Sequence, residues 1–99
     1  MYGLKQKNLS IFCNLTFFQS ANFHAGSMVA SYPFDDSKNH PRSGYYSAAP
    51  DDDFFKHIAK IYSKNHKVMH KAKRCYKNRQ RFPGGITNGA KWYDVPGGK

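Results

Sequence analysis

Histidines are the residues of this sequence whose positions first suggest chemistry. His24 follows an apolar run without glycine or proline, and that run predicts a strand over residues 17–24. The small residues 25–27 then end the strand. A histidine at the end of a buried strand, beside small residues that leave room for a ligand, suits a metal ligand or a general base. A single histidine is more often structural, so the pattern alone leaves both interpretations open.

A second pair, His66 and His70, stands four residues apart, which is a spacing found in metal sites on helices. No glutamate follows His66, and the neighbouring sequence offers no third ligand. We therefore interpret this pair as a chance spacing.

One helix is expected between His24 and His66, over residues 51–65. Pro50 and the three aspartates at 51–53 suit a helix start, because negative charge is favoured at the positive end of the helix dipole. An apolar stripe then recurs at three- and four-residue spacing, formed by Phe54, Phe55, Ile58, Ala59 and Tyr62. The sequence before this helix, residues 37–50, is dense in turn-forming residues and is expected to be loop.

The chain carries a net charge of +10, and its positive residues are concentrated after the predicted helix. Residues 56–81 suggest a small cationic module that binds polyanions, while the ordinary interpretation of such a run is a solvated surface. Only Tyr76 is aromatic within the most basic part, so stacking on single strands is poorly supported and no specific nucleic acid is expected. The basic residues concerned are Lys67, Lys71, Lys73, Arg74, Lys77, Arg79 and Arg81.

Five sequence blocks, in order, resemble the zinc metallocarboxypeptidases of the N/E group, which includes carboxypeptidases N, E, M and D. They lie at residues 20–24 (SANFH), 32–36 (YPFDD), 50–55 (PDDDFF), 85–90 (GITNGA) and 92–98 (WYDVPGG). The resemblance implies an α/β fold, here a partial mixed-sheet domain with one core strand, one helix and long loops. It covers residues 17–98, which correspond to a middle piece of the longer family domain.

The resemblance also implies roles for three residues. His24 matches one of the three protein ligands of a catalytic Zn²⁺, Asp35 matches the acidic residue that recognises a C-terminal Lys or Arg, and Tyr93 matches the tyrosine that closes over the substrate's terminal carboxylate. The other two ligands, the general-base glutamate and the carboxylate clamp belong to parts of the family sequence that this chain does not match. We therefore expect the chain to be a fragment of an enzyme that removes C-terminal Lys or Arg from peptides and proteins, and we expect this fragment to be inactive alone. Ala25 stands where the family usually has glycine.

The boundaries follow from the same resemblance. Residues 1–16 are unmatched and are expected to be a spurious leader, with a signal peptide as the alternative, and residues 17–99 are expected to be a partial catalytic domain. The family implies an extracellular or secretory location, and it implies that Cys75 pairs with a cysteine beyond residue 99. No apolar run is long enough for a transmembrane helix, and the sequence gives no indication of oligomeric state.

Overall fold

The structure is a computed structural model, and it describes residues 20–23, 25–37, 44–77 and 79–98. Its regular elements are a strand β1 (Ala30–Tyr32), a helix α1 (Asp52–Asn65), a strand β2 (Ile86–Asn88) and a short helix α2 (Gly89–Trp92). Two single-turn 3₁₀ helices, Met69–Lys71 and Pro83–Gly85, lie between α1 and β2.

The two strands form a parallel pair in which Ala30 is opposite Ile86 and Tyr32 is opposite Asn88. Parallel strands cannot be joined by a tight turn and need a crossover connection, commonly a helix. Here α1 provides that crossover and contacts both strands. The α/β class expected from the sequence is confirmed, with two short strands where one was expected.

The strand predicted over residues 17–24 is wrong for the part that the structure describes. Residues 20–23 have no strand structure and are exposed, and Phe23 has 76% of its surface in solvent. The described strand begins at Ala30, where the backbone finds a partner in Ile86. The strand was predicted from the apolar residues of the earlier run. One of them, Phe23, instead packs against Tyr62 of α1, with ring centroids 6.2 Å apart and no strand pairing. Positions 17–19 and 24 lie outside the described residues.

The helix prediction is confirmed to within one residue. The first turn of α1 carries Asp52 and Asp53, which complement the helix dipole. The buried line along α1 is narrower than the predicted stripe: Ala59 and Ser63 are buried, while Phe54 and Tyr62 are 60% and 46% exposed.

Ser63 is buried because α1 closely approaches the loop before β2. Its hydroxyl donates a 2.7 Å hydrogen bond to the carbonyl of Gly84. Gly85 lies against both Ser63 Oγ and the backbone of Met69, so that a Cβ at position 85 would collide with them. Small residues on both sides therefore set the distance between α1 and the β2 loop.

The core around this approach is small. Among the described residues, its buried apolar members are Tyr32, Ala49, Ala59, Met69, Phe82 and Ala90. Phe82 packs edge-to-face on Trp92, with ring centroids 5.0 Å apart. This contact ties α2 to the segment before β2. None of the helices in the described part of the chain is long and apolar enough to cross a bilayer.

Candidate substrate-specificity site

Asp35 lies just beyond β1, on the segment that leaves the carboxyl end of the sheet. Its side chain is half-buried against the backbone of Gly89 and Gly98. Burial raises the pKa of Asp35 above its ordinary value, because a carboxylate loses solvation when it leaves water. No hydrogen bond from a described residue to the Asp35 carboxylate compensates for that loss. The group is therefore suited to receive a positively charged ligand.

The segment that carries Asp35 is held to the loop after α2 by three hydrogen bonds. The carbonyl of Asp35 accepts from the backbone N–H of Val95 at 2.8 Å. The backbone N–H of Ser37 donates to Asp94 Oδ1 at 2.6 Å. The backbone N–H of Gly97 donates to Asp36 Oδ2 at 3.0 Å. Segments 35–37 and 94–97 are thus linked to each other by hydrogen bonds.

Tyr93 begins this second loop, directly after α2. Its backbone N–H donates to the carbonyl of Gly89 at 3.0 Å, and its ring stacks edge-to-face on Trp92 at 5.0 Å. The side chain is 41% exposed. Gly89 is therefore a neighbour of both predicted site residues. Its Cα lies against the Asp35 carboxylate, and its carbonyl accepts the backbone hydrogen bond from Tyr93.

The third predicted site residue, His24, lies outside the described residues. Sequence reasoning missed a further residue that shapes the site, Asn88, which is buried at the junction of β2 and α2. Its side chain caps α2 by accepting from the N–H of Lys91 at 3.3 Å. The signal available was an asparagine followed by glycine immediately before a short helix, a typical helix N-cap.

The chain matches the family model described as zinc carboxypeptidase over residues 6–99. It belongs to the zinc carboxypeptidase family. The resemblance seen in the sequence blocks is thereby confirmed.

Three relatives illustrate how far the similarity extends. The chain is 51% identical to carboxypeptidase D of Homo sapiens over 84 residues, which cover 83% of this chain and 6% of the human protein. It is 44% identical to the carboxypeptidase N catalytic chain of Rattus norvegicus over 89 residues, covering 86% of this chain and 19% of the relative. It is 45% identical to carboxypeptidase M of Mus musculus over 84 residues, covering 84% of this chain and 19% of the relative. The chain thus spans less than a fifth of the length of these relatives.

The family's metal has no complete site among the described residues. Within ranges 20–23, 25–37, 44–77 and 79–98, no three His, Cys, Asp or Glu side chains form a group that could hold a metal ion. His66 and His70 do not form one either: Nδ1 of His66 lies 3.1 Å from the N–H of Met69, and Nδ1 of His70 lies 3.0 Å from the carbonyl of His66. The zinc-ligand role of His24 stays a prediction.

The basic segment after α1 lines an open depression of about 490 Å³. Its basic residues are exposed, and the Arg74 guanidinium donates to the carbonyl of Lys77 at 2.7 Å. The polyanion-binding alternative is not supported, because every relative described above is a carboxypeptidase. Cys75, in the same depression, is exposed and forms no disulfide with another described residue.

Proposed function

We propose that this chain is part of a zinc-dependent carboxypeptidase domain that removes C-terminal Lys or Arg from peptides and proteins. Membership of the zinc carboxypeptidase family supports the reaction class. The proposed preference for a basic residue is supported by the surroundings of Asp35.

The Asp35 carboxylate is half-buried, its pKa is raised by that burial, and its nearest described neighbours are glycine backbones. A lysine ammonium or an arginine guanidinium would restore the lost solvation through charge-assisted hydrogen bonds, which are roughly twice as strong as neutral ones. A neutral apolar side chain would leave the carboxylate without a partner. Discrimination between basic and apolar C-terminal residues follows from that difference.

His24 and Tyr93 have the other two proposed roles, which rest on the resemblance of their sequence blocks. His24 is proposed as one protein ligand of the zinc, and Tyr93 as a hydrogen-bond donor to the terminal carboxylate of the substrate. The remaining ligands and the general-base glutamate are supplied by parts of the family domain that these 99 residues do not match. We expect the 99-residue polypeptide alone to be inactive, and the whole protein to act on peptide C-termini in the secretory pathway or outside the cell.

The test is a chimera in which residues 17–98 replace the matching segment of an active N/E-group carboxypeptidase. Activity on Lys-ending peptides and a full zinc content are expected, at a reduced rate because of Ala25. His24→Ala should abolish both activity and zinc content, as measured by metal analysis of the purified protein. Asp35→Ala should keep the zinc and lower the ratio of kcat/KM for Lys-ending over Leu-ending peptides.

Two results would contradict the proposal separately. A chimera that keeps its zinc after His24→Ala would show that another residue is the ligand. An unchanged Lys-to-Leu ratio after Asp35→Ala would show that another group recognises the basic side chain. Lys60→Ala, an exposed position on α1, is the control and should change neither quantity.

A further inference from the structure

Asn88 is a fully buried polar side chain at the end of β2, with 1% of its surface exposed. Burying a polar amide is unfavourable unless its hydrogen bonds are replaced within the protein. Asn88 is paired with Tyr32 in the sheet register, which places it beside the residues through which the chain continues to Asp35.

The amide of Asn88 makes four hydrogen bonds, and together they use its whole capacity. Its Nδ2 donates to the carbonyl of Pro33 at 3.0 Å and to the carbonyl of Ser47 at 2.9 Å. Its Oδ1 accepts from the N–H of Ser47 at 3.0 Å and from the N–H of Lys91 at 3.3 Å. One side chain thus joins three separate segments: the exit of β1, the loop before α1, and α2.

Backbone hydrogen bonds complete the same junction around Phe34. Its N–H donates to the carbonyl of Ser47 at 2.9 Å, and its carbonyl accepts from the N–H of Ala90 at 2.9 Å. Phe34 directly precedes Asp35, so these contacts fix the chain on the N-terminal side of the Asp35 carboxylate. Asn88 holds both hydrogen-bond partners of Phe34, Ser47 and Ala90, in place. It bonds Ser47 directly, and it is the N-cap of α2, which contains Ala90.

The residue after Asn88 is Gly89, whose backbone forms one wall of the Asp35 site. Asn88 therefore controls the position of the carboxylate from two directions, through Pro33 and through Gly89. From this geometry we infer that Asn88 is a positioning residue that sets the preference for basic substrates by holding Asp35 in place. The inference rests on the proposed function, since it concerns the same specificity site.

Asn88→Asp is the sharpest variant, because it keeps the side-chain shape and removes both N–H donors. The carbonyls of Pro33 and Ser47 would then face a carboxylate, and the junction should rearrange. In the chimera described above, we expect the Lys-to-Leu ratio of kcat/KM to fall, by up to about 100-fold if the carboxylate is misplaced by about 1 Å. Zinc content should be unchanged, and kcat/KM for the Leu-ending peptide should fall less than that for the Lys-ending peptide. Asn88→Ser, which introduces no charge, is the second variant and should lower the ratio in the same direction.

Ser63→Ala is the matched control, since Ser63 is equally buried and its hydroxyl also bonds a backbone carbonyl, that of Gly84. It should lower the midpoint of thermal unfolding and leave the ratio unchanged. A merely structural role for Asn88 would give this same result. An unchanged ratio in folded Asn88→Asp or Asn88→Ser would therefore overturn the inference, and so would failure of both variants to fold while Ser63→Ala folds.

Asp35→Ala, measured in parallel, separates this inference from the proposed function. If Asp35→Ala lowers the ratio and the Asn88 variants do not, only the positioning role fails. If Asp35→Ala leaves the ratio unchanged, the proposed specificity fails, and any effect at Asn88 has another origin. In the double variant, Asn88→Asp should add nothing to the effect of Asp35→Ala on the ratio, because the two residues act as one unit.

Discussion

The Asp35 side chain lies so close to the backbone of Gly89 that a Cβ atom at position 89 would stand 2.8 Å from Asp35 Cγ and 3.1 Å from Asp35 Cα. The first of these distances is shorter than real contacts between a Cβ and another carbon, so only glycine leaves room for the carboxylate at this position. Gly98 is close on another side, where an added Cβ would stand 2.9 Å from Asp35 Cβ. Two glycines from separate segments therefore shape the site by lacking side chains.

Gly89→Ala should displace the Asp35 carboxylate directly. In the chimera we expect a lower Lys-to-Leu ratio of kcat/KM, together with a destabilisation of about 1–3 kcal/mol, as is typical of an overpacked site. Enzyme kinetics and denaturant unfolding of the same preparation measure the two effects. Gly84→Ala is the control: its φ of +68° also disfavours alanine, but an added Cβ there meets open space. It should cost stability and leave the ratio unchanged, and an unchanged ratio in Gly89→Ala would argue against this contact as a determinant of specificity.

The stability of the folded chimera should depend on the charge of Asp35. Burial raises the pKa of Asp35 above its ordinary value of 3.8. The folded state therefore binds this proton more tightly than the unfolded state, and stability falls as the pH rises from 3.8 through the raised pKa. Asp35→Asn removes this titration. We expect the variant to unfold at a higher temperature than the parent at neutral pH, and this advantage to disappear as the pH is lowered towards 3.8.

Thermal unfolding followed by circular dichroism across this pH range is the measurement. Asp53→Asn is the matched control, because Asp53 is exposed in the first turn of α1, where its negative charge is favourable. That variant should unfold at a slightly lower temperature than the parent at neutral pH. A stability gain from Asp35→Asn that is the same at every pH would refute a cost due to the buried charge.

The secondary structure was predictable where the signal is local. Pro50, the aspartates of the first turn and a regular apolar spacing all lie within α1 or next to it, so the sequence specified the helix to within one residue. The strands are different. Each has only three residues, and the pairing of Ala30 with Ile86 joins positions 56 residues apart. A local sequence pattern cannot reveal that pairing. The more apolar residues 17–24 therefore led us to predict a strand in the wrong segment.

The site was predictable only through its sequence blocks. Those blocks identified Asp35 and Tyr93, whose roles as specificity and substrate-closing residues stay predictions. They did not show why Asn88 and Gly89 occur between them. The role of Asn88 depends on hydrogen bonds to Ser47 and Pro33, which precede it in the sequence by 41 and 55 positions. The role of Gly89 depends on the close approach of Asp35 from another segment. Such roles need the three-dimensional arrangement, because a single buried amide looks the same in sequence as an exposed one.

Tyr93→Phe should separate catalysis from specificity. The backbone of Tyr93 is held by Gly89 and its ring by Trp92, so the variant should keep the loop in place and lose only the hydroxyl. Loss of one hydrogen bond worth about 1 kcal/mol lowers kcat/KM roughly fivefold. The reduction should be the same for Lys-ending and Leu-ending peptides, because every substrate has a terminal carboxylate.

Steady-state kinetics on the two peptides give the answer. Tyr76→Phe is the control, since Tyr76 is 67% exposed in the basic segment and should not affect turnover. A loss confined to the Lys-ending peptide would show that the Tyr93 hydroxyl belongs to the specificity pocket and does not contact the terminal carboxylate.

The 99-residue polypeptide by itself should have one well-protected element, α1. This helix has fourteen residues and a buried line against the loop before β2, whereas each strand has three residues and a single partner strand among the described residues. Short strands with an unpaired edge are weakly protected and prone to association. Hydrogen exchange followed by mass spectrometry should therefore show slow amides within α1 and fast exchange elsewhere.

Ala59→Pro should abolish that protection, because proline inside a helix costs about 3 kcal/mol or more. Lys60→Ala at the exposed neighbouring position should preserve it. A sharp cooperative thermal transition of the polypeptide would show instead that these residues form a self-sufficient domain.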